Sequence, residues 1–542
     1  PGTVFSPLSP SRTVIRLHKA VKRTRIGQMA DCFFRWITPA SRGPQRWGGL
    51  AMFLDKQVRY DSPRLETAYR HFEKNVSEIC RIARKAAAPV LISTVGCNLR
   101  DCPPFASLHR ADLNEAEKQK WEDLYQKGIQ REESGDLGGA VEFYKEAALI
   151  DPTFADLQYR TGHCMDLAGD PNGAGDYYRM ALQYDTVRLR ADRRINDILR
   201  LTAENTEGVF FVDTAAALAE RSRGRNPGLE YFYEHVHLNY EGHYLTAQTM
   251  FERIHEILPE LKNSGSAVLH DRRECARRLA YTEFEQLILW EPLVKEMLSE
   301  PPFTGQLYHE TMMENIRQQM QELSVWKDPA RAKTEQPVYE QAIQDNPEDW
   351  PLHWRYSIFL KRGLGDYPKE EIHLRKALEL CPHNVPVYLN LGRNLTRQGN
   401  YREALKILYE LLKIKPNSAE AHVELAKIYK IRKDQKGYIQ HLAATIRFAP
   451  AVSVDPYRAL AEAYWLEGKS DKAMSSLRRA IRIFPIEQTA YVHADLGSLL
   501  ISQKQYEKAL AEMKLAAQIN PDLSKDPKHQ QILRDLEKKI GR

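Results

Sequence analysis

Residues 391–408 read Leu391-Gly-Arg-Asn-Leu-Thr-Arg-Gln-Gly-Asn-Tyr-Arg-Glu-Ala-Leu-Lys-Ile-Leu408, and Pro416 closes the segment. Small and large residues stand at fixed places in this stretch: Gly392 and Ala404 are small, whereas the leucines at its two ends are large. Small residues let two helices approach closely, and large ones fill the groove between successive helical units. The stretch therefore predicts a pair of antiparallel helices.

The same frame recurs along the C-terminal part of the chain. Prolines at positions 347, 382, 416, 450, 485 and 521 are separated by 35, 34, 34, 35 and 36 residues. Between them the small and large positions stay in phase, as in Leu425-Ala426, Leu460-Ala461 and Leu496-Gly497. This is the period of the tetratricopeptide repeat, about 34 residues, so we predict an α-solenoid over residues 338–523. The charged stretch 524–542 is predicted to cap it.

A second run of the frame lies in the first half of the chain. Its small and large positions recur 34 residues apart, as Gly128 and Gly162, Ala140 and Ala174, Tyr144 and Tyr178, and Ala147 and Ala181. We predict a repeat pair over residues 117–187. The segments on either side have a different pattern, so the pair is interpreted as an insertion.

Two short apolar segments flank the inserted pair. Pro89-Val-Leu-Ile-Ser-Thr-Val95 precedes it, and Gly208-Val-Phe-Phe-Val-Asp-Thr214 follows it. Continuous apolarity with β-branched residues is typical of a buried parallel strand. The order of strand, helix, insertion, strand and helix is that of an α/β domain. We therefore predict an α/β domain over residues 1–262, a helical connector over 263–337 and, beyond it, the all-α array.

Residues that can carry chemistry cluster after the second predicted strand. Tyr231-Phe-Tyr-Glu-His-Val-His-Leu-Asn-Tyr-Glu-Gly-His243 holds three histidines and two carboxylates in thirteen residues. Glu234 and His237 have the spacing of an orienting carboxylate and a general base, because a turn brings residues three apart together. The carboxylate can then hold one ring nitrogen while the other accepts a proton. No nucleophile is visible nearby.

These segments resemble a known family. Leu99-Arg-Asp-Cys-Pro-Pro-Phe105, Val209-Phe-Phe-Val-Asp213 and Tyr233-Glu-His-Val-His-Leu-Asn-Tyr-Glu-Gly242 look like the second half of the SGNH/GDSL hydrolase domain in a bacterial group that also carries tetratricopeptide repeats. The resemblance runs to about Leu261 and extends to Pro301-Pro302-Phe303-Thr304 of the connector. It implies a partial flavodoxin-like three-layer sandwich, with His237 as general base and Glu234 as its orienting carboxylate. Glu in place of the commoner Asp is a departure from the pattern.

The nucleophile block of such a domain is not found in this sequence. No Gly-Asp-Ser string occurs, and the Gly-Asp pairs that do occur lie in or near predicted turns between helices. Gly96-Cys97-Asn98 is the nearest match to the Asn block, which makes Asn98 a candidate oxyanion or substrate residue. The resemblance places the Ser, Gly and Asn strands upstream of Pro1. We therefore expect an unpaired apolar strand edge in this chain.

The histidines allow two other interpretations. His235 and His243 are also explained by hydrogen bonds within a loop. Alternatively, His235-x-His237 on an extended segment points both rings one way, with His243 as a third metal ligand. No fourth ligand can be named, so we predict neither a metal site nor a cofactor.

Composition bears on two further questions, whether the chain binds nucleic acid and whether it crosses a membrane. The net charge of +6 is small for 542 residues, and 43% hydrophobic with 28% charged residues is ordinary for a soluble globular protein. No basic groove with interleaved aromatic residues stands out, so nucleic acid is not a predicted partner. No apolar run approaches the roughly 20 residues that span a bilayer. An anchor upstream stays possible, so the compartment is left open.

Two function classes follow. In the first, the full-length parent is an SGNH-type ester hydrolase or acyl transferase. Its Ser attacks an ester carbonyl, and His237 takes the Ser proton and returns it to the leaving alcohol. This chain lacks that nucleophile and is expected to be inactive by itself. In the second, the chain is a non-catalytic scaffold whose array binds a protein or peptide partner on its concave face.

Overall fold

The computed structural model describes residues 49–258, 268–323 and 328–541, together with seven separate positions between Arg16 and Met29. The chain divides into two compact units, residues 1–275 with 285–324 and residues 276–284 with 325–542. The predicted connector is thus shared between the two units. Its residues 285–324 pack with the first unit.

The described part of the chain up to residue 323 is mostly helical. In chain order its main elements are α1 (Pro63–Lys85), β1 (Val90–Ser93), α2 (Glu115–Glu133), α3 (Leu137–Ile150), α4 (Ala155–Leu167), α5 (Pro171–Tyr184), α6 (Arg193–Glu204), β2 (Val209–Val212), α7 (Thr214–Glu220), α8 (Tyr240–Ile257), α9 (Arg272–Arg278), α10 (Glu283–Leu293) and α11 (His309–Leu323). Short 3-10 turns cover Leu50–Lys56, Arg223–Arg225 and Phe303–Gly305, and a π-helical turn, Val294–Leu298, continues α10.

The two predicted strands form the sheet. β1 and β2 pair in parallel, with Val90 opposite Val209 and Ser93 opposite Val212. Ile92 and Val209 are buried against Cys80 of α1 and Leu199 of α6. Parallel strands need such cover by helices, because their apolar side chains face both ways.

The three-layer sandwich implied by the resemblance is not assembled by the described residues. Their sheet has two strands, so each strand keeps one edge without a strand partner. On β2 this edge is met by Arg253 of α8, whose Nε donates to the Phe211 carbonyl at 3.0 Å. Two strands are too few for an independent sheet, so this small core depends on the helices and loops around it.

Helices α2 to α5 form two helical hairpins in the predicted repeat frame. A Cβ on Gly128 of α2 would overlap the Tyr144 ring of α3, so the close approach of these helices requires glycine. Ala140 and Ala174, at equivalent places in the two hairpins, are completely buried. The positions that define the sequence pattern are therefore the ones that form the interior.

The second unit is described as a series of helices from residue 328 onward. They are α12 (Pro329–Asp345), α13 (Trp350–Phe359), α14 (Tyr367–Leu380), α15 (Val385–Arg397), α16 (Tyr401–Ile414), α17 (Ala419–Ile431), α18 (Gln435–Phe448), α19 (Asp455–Leu466), α20 (Ser470–Ile483), α21 (Ala490–Ser502), α22 (Tyr506–Ile519), α23 (Pro521–Lys525) and α24 (Pro527–Ile540). A π-helical turn, Leu360–Leu364, extends α13.

Each repeat of this unit is a first helix followed by a second helix that packs back on it. The first helices are α13, α15, α17, α19 and α21. A Cβ on Gly392 of α15 would lie 2.6 Å from the Leu408 side chain of α16, so this pair also needs a small residue at its crossing. At the end of the series α24 packs on α22, where His529 Nε2 lies 3.0 Å from the Met513 carbonyl. Throughout the described ranges, every helix is too short or too polar to cross a lipid bilayer.

Candidate functional site

The histidine loop, residues 231–239, lies between β2 and α8 in the chain and is a tight hairpin. Tyr233 N–H donates to the His237 carbonyl at 2.8 Å, and Phe232 bridges Leu238 in antiparallel fashion. Asn239 caps α8, because its side-chain oxygen accepts the Gly242 N–H at 3.1 Å. The loop is therefore held at both ends by its own sequence.

Glu234 organises the loop from inside. Its side chain is buried, and its Oε1 accepts the His237 backbone N–H at 2.7 Å while its Oε2 accepts the His235 backbone N–H at 2.7 Å. Oε1 also contacts the ring Nδ1 of His237. The carboxylate and the imidazole that the sequence singled out are thus in direct contact.

The His237 ring faces solvent. Its side chain is 61% exposed, while the Glu234 side chain beneath it is 1% exposed. With Nδ1 held by the carboxylate, Nε2 is the nitrogen left for a reacting group. This is the geometry that a general base and its orienting carboxylate require. The catalytic role itself stays a prediction.

His235 packs in the interior, where its Nδ1 contacts Oε2 of the same carboxylate. Its ring meets the rings of Phe105 and Phe303 edge-on, with centroid separations of 5.3 Å in both cases. Burial, together with the charges of Arg190 and His237, lowers the pKa of His235 to about 3, so this imidazole is neutral near pH 7. His235 is a packing residue of the loop.

The arrangement does not gather metal ligands. His243 is exposed on the first turn of α8, and partial burial of its ring lowers its pKa below the ordinary value. Within the ranges that the structure describes, no group of three His, Cys, Asp or Glu side chains is placed to hold a metal ion.

Asn98 lies directly beneath the histidine loop. It is completely buried, its Nδ2 donates to the Glu234 carbonyl at 3.0 Å, and its Oδ1 accepts the Asp101 N–H at 2.9 Å. Its backbone N–H donates to the His235 carbonyl at 3.0 Å. The amide thus ties the loop after β1 to the histidine loop, and its predicted contact with a substrate stays a prediction.

Sequence reasoning missed the residue that holds the loop after β1. Arg190 is buried between α5 and α6 and donates to the carbonyls of Asn98 at 3.0 Å and Cys102 at 2.6 Å. Its charge is balanced by Asp185, 3.1 Å away, although burial raises the pKa of Asp185. Arg190 belongs to no motif, and only its contacts with distant parts of the chain reveal it.

A third segment, residues 303–308, packs across this region, and we call it the strap. Phe303 lies against His235 and Phe105, and Gln306 Nε2 donates to the Pro103 carbonyl at 2.6 Å. At its far end, the Tyr308 hydroxyl donates to Glu132 of α2. The strap therefore runs from the histidine loop to the two helical hairpins α2 to α5.

The array offers a second candidate site, the first-helix face, where side chains of successive first helices meet. From the end of α13 to α17 it carries five cations that are at least partly exposed: Lys361, Arg393, Arg397, Lys427 and Lys430. Glu424 forms ion pairs with Arg393 Nε at 2.9 Å and with Lys427 Nζ at 3.0 Å. Glu462 lies 3.9 Å from Lys430. Burial and the charges of Arg397 and Arg393 lower the pKa of Lys361, whereas the Glu370 carboxylate acts in the opposite direction.

Further along, the face exposes an indole among charged side chains. Trp465 of α19 is 49% exposed and borders a cavity of about 530 Å³, which Leu499 of α21 also lines. Arg458 Nε donates to Asp495 at 2.6 Å and its guanidinium lies 5.3 Å from the Tyr491 ring centre. The cavity thus combines an exposed indole with one cation, Arg458, and three acids, Asp455, Glu462 and Asp495.

Comparison with protein-family models supports the predicted tetratricopeptide array. Tetratricopeptide-repeat models match residues 373–428, 455–486 and 490–523. The second unit therefore contains tetratricopeptide repeats, as the proline spacing predicted. All three matched segments lie in that unit, and the SGNH resemblance of the first unit rests on its sequence motifs alone.

One human protein, protein O-mannosyl-transferase TMTC1, is 25% identical over 168 residues, which cover 30% of this chain and 18% of that protein. The chain thus spans less than a fifth of this relative. Among solved structures, the MamA protein (22% identical, TM-score 0.29) is matched over 33% of this chain and 97% of its own. YrrB, a TPR protein described with an unusual peptide-binding site, is 20% identical with a TM-score of 0.29. Its match covers 34% of this chain and 93% of YrrB. PilF of Pseudomonas aeruginosa is 15% identical with a TM-score of 0.31, and its match covers 38% of this chain and 90% of PilF.

Proposed function

We propose that this chain is a docking scaffold whose array binds an acidic peptide segment of a protein partner on the first-helix face. The observation that carries the proposal is the excess of cations between Lys361 and Lys430. Stacked helical repeats offer extended surfaces for such segments. In this division of the chain, residues 338–523 dock the partner, 524–542 cap the array, and 263–337 connect it to residues 1–262 with their inserted pair, 117–187.

The charges of the face favour an acidic partner over a neutral or basic one. Arg393 and Lys427 share a single carboxylate, Glu424. Lys361 and Arg397 together face one carboxyl, that of the buried Glu370, whose pKa burial raises, so these two cations lack one negative charge. Carboxylates of a bound peptide would supply that missing charge, and Arg pairs with carboxylates in a fixed bidentate geometry.

The exposed Trp465 gives the peptide a place to anchor. An exposed indole beside a cavity is the kind of feature on which aromatic or aliphatic side chains gain most of their binding energy. We therefore expect an acidic run followed or preceded by a Leu, Phe or Trp that enters the cavity at Trp465.

Selection of phage-displayed random twelve-residue peptides on the full chain tests the proposal. The enriched peptides are expected to be rich in Asp and Glu and to contain one large apolar residue. Competition with free acidic peptide and loss of capture in high salt are expected as well, because exposed charges are screened. Failure to enrich any sequence would contradict the scaffold function, and enrichment of neutral or basic sequences would contradict the acidic partner.

A second candidate function is ester hydrolysis or acyl transfer at the histidine loop. It is supported by the contact between the Glu234 carboxylate and the exposed His237 ring. In the reaction that the resemblance implies, His237 takes a proton from a Ser hydroxyl, and water or a hydroxyl compound later accepts the acyl group. Asn98 is the proposed support of the Glu234 backbone in this arrangement.

An activated ester tests the competence of the imidazole in the chain as it stands. With p-nitrophenyl acetate, His237 Nε2 attacks the carbonyl, p-nitrophenolate leaves, and water hydrolyses the acyl-imidazole. His237→Gln is expected to lower the rate at least threefold, whereas His71→Gln, at a partly exposed histidine of α1, leaves it unchanged. Equal rates for the two variants would remove the support for this function.

A further inference from the structure

The first-helix face of the inserted repeat pair is already occupied by the chain's own strap. In this pair the first helices are α2 and α4, and the ring of Tyr308 lies over their exposed side. Its centroid is 4.4 Å from that of His163 and 6.2 Å from that of Tyr159, both on α4. Leu307 packs beside it against the cluster around Tyr159 and Tyr178.

The groove is built to receive a phenol. One oxygen of the Glu132 carboxylate accepts a hydrogen bond from the Tyr308 hydroxyl. The other oxygen accepts hydrogen bonds from the Tyr144 hydroxyl at 2.6 Å and from Arg160 at 2.9 Å. The Arg160 guanidinium also lies 5.4 Å from the centre of the Tyr308 ring. A charge-assisted hydrogen bond and a cation–π contact therefore act on the same side chain.

The backbone at Tyr308 indicates that these contacts hold it in place. Its φ is +57°, in the left-handed region that non-glycine residues seldom adopt. Such a conformation costs free energy and persists when surrounding contacts outweigh it. The contacts that can do so here are those with the repeat pair, together with the Met312 N–H that the Tyr308 carbonyl accepts at 3.0 Å.

The other end of the strap lies in the candidate site. Phe303 meets His235 and Phe105 at centroid separations of 5.3 and 5.2 Å, and it is almost completely buried. His235 is the residue next to Glu234. Any force that keeps Phe303 in place therefore also keeps the inner side of the histidine loop in place.

We propose that the inserted repeat pair is a binding site for a tyrosine-bearing peptide, that the strap is its resident ligand, and that this occupancy holds the histidine loop in its observed form. The proposal assigns a role to the insertion that is separate from partner docking by the array. Its recognition chemistry is the phenol hydroxyl on Glu132 with Arg160 over the ring.

Hydrogen–deuterium exchange of the full chain tests the proposal with two variants. Tyr308→Ala removes the ring, and Tyr308→Phe removes the hydroxyl alone. Exchange in residues 303–308 and 232–238 is expected to rise at least tenfold in Tyr308→Ala and by a smaller factor in Tyr308→Phe. Tyr177→Ala, on the second helix of the same pair, is the matched control and leaves both segments protected.

A peptide of residues 301–310, added to the Tyr308→Ala chain, probes the groove directly. It is expected to restore protection of residues 232–238, and the same peptide with Phe in place of Tyr is expected to do so at higher concentration. The proposal fails if residues 232–238 keep their protection in Tyr308→Ala. It also fails if protection is lost equally throughout α2 to α5 in both variants, or if the peptide restores nothing.

Discussion

Glu234 Oε1 accepts the backbone N–H of His237 at 2.7 Å and contacts the Nδ1 of the same residue. One carboxylate oxygen thus fixes both the main chain and the ring of the histidine three positions later. A change at Glu234 is therefore expected to alter the conformation of the histidine loop as well as any reaction at His237.

Glu234→Gln is expected to loosen the histidine loop. An amide has only one acceptor oxygen, so its NH₂ must face one of the N–H donors of His235 or His237. A buried donor without an acceptor costs about 1–3 kcal/mol. Local exchange of residues 232–238 is expected to rise, with Glu220→Gln, at an exposed acid of α7, as the control. Unchanged protection would show that the carboxylate does not organise the loop.

Asn98→Ala separates a structural from a purely substrate-binding role of this amide. The substitution leaves the Glu234 carbonyl and the Asp101 N–H without their partners, which should lower the unfolding free energy of the first unit by about 2–3 kcal/mol. The shift in urea midpoint measures it. An oxyanion donor with no structural role would leave the midpoint where it is.

The sequence predicted the local relationships and missed the distant ones. The repeat frame follows from contacts between residues one helix apart, such as Gly392 and Leu408, and Glu234 with His237 follows from a spacing of three. By contrast, the hydrogen-bonded residues Asn98 and Glu234 are 136 positions apart in the sequence, and Gln306 and Pro103 are 203 positions apart. Contacts of that kind leave no periodic signal in a single sequence.

The sandwich prediction differs from the structure for a related reason. Both strands were correctly placed from their composition, but the number of layers came from a resemblance, and the described residues provide two strands. Arg190 and the strap were missed because neither carries a motif. Their importance lies in the carbonyl groups and rings that they meet in the folded chain.

Two glycines in one hairpin test the packing of α2 against α3. Gly128→Ala places a methyl group in the Tyr144 ring and is expected to cost about 1–3 kcal/mol of unfolding free energy, the range of overpacking. Gly138, on the facing helix α3, has open space around it. Gly138→Ala is therefore expected to be neutral or to stabilise by up to about 1 kcal/mol. Thermal denaturation of the two variants compares them, and equal shifts would contradict the packing described.

The array is expected to lose stability in acid through two histidine pairs, one of them buried and the other partly buried. Nδ1 of His353 lies 2.9 Å from Nδ1 of His373, and His422 and His441 are paired at the same distance. Burial, followed by the neighbouring histidine, lowers the pKa of His373 and of His441 to about 4 in each case.

A depressed imidazole pKa means that the unfolded chain binds the proton more tightly than the folded one. The stabilisation is therefore complete above the unfolded value of about 6.5 and is lost as the pH falls toward about 4, by an amount on the order of 2 kcal/mol per pair. The melting temperature of the array between pH 7 and 4.5 measures the loss. His373→Gln with His441→Gln should flatten the profile, and His383→Gln, at an exposed site, should not. A profile that is equally steep in all three proteins would exclude the pairs as its cause.

The most direct test of the docking function is the affinity of a selected acidic peptide for the full chain, measured by fluorescence anisotropy at about 0.15 M salt. Arg393→Glu combined with Arg397→Glu is expected to weaken binding at least tenfold, which corresponds to about 1.4 kcal/mol. Lys413→Glu combined with Lys436→Glu makes the same charge change on the second helices α16 and α18 and is expected to leave the affinity within twofold. Equal affinities for wild type and the Arg393→Glu, Arg397→Glu variant would contradict the account.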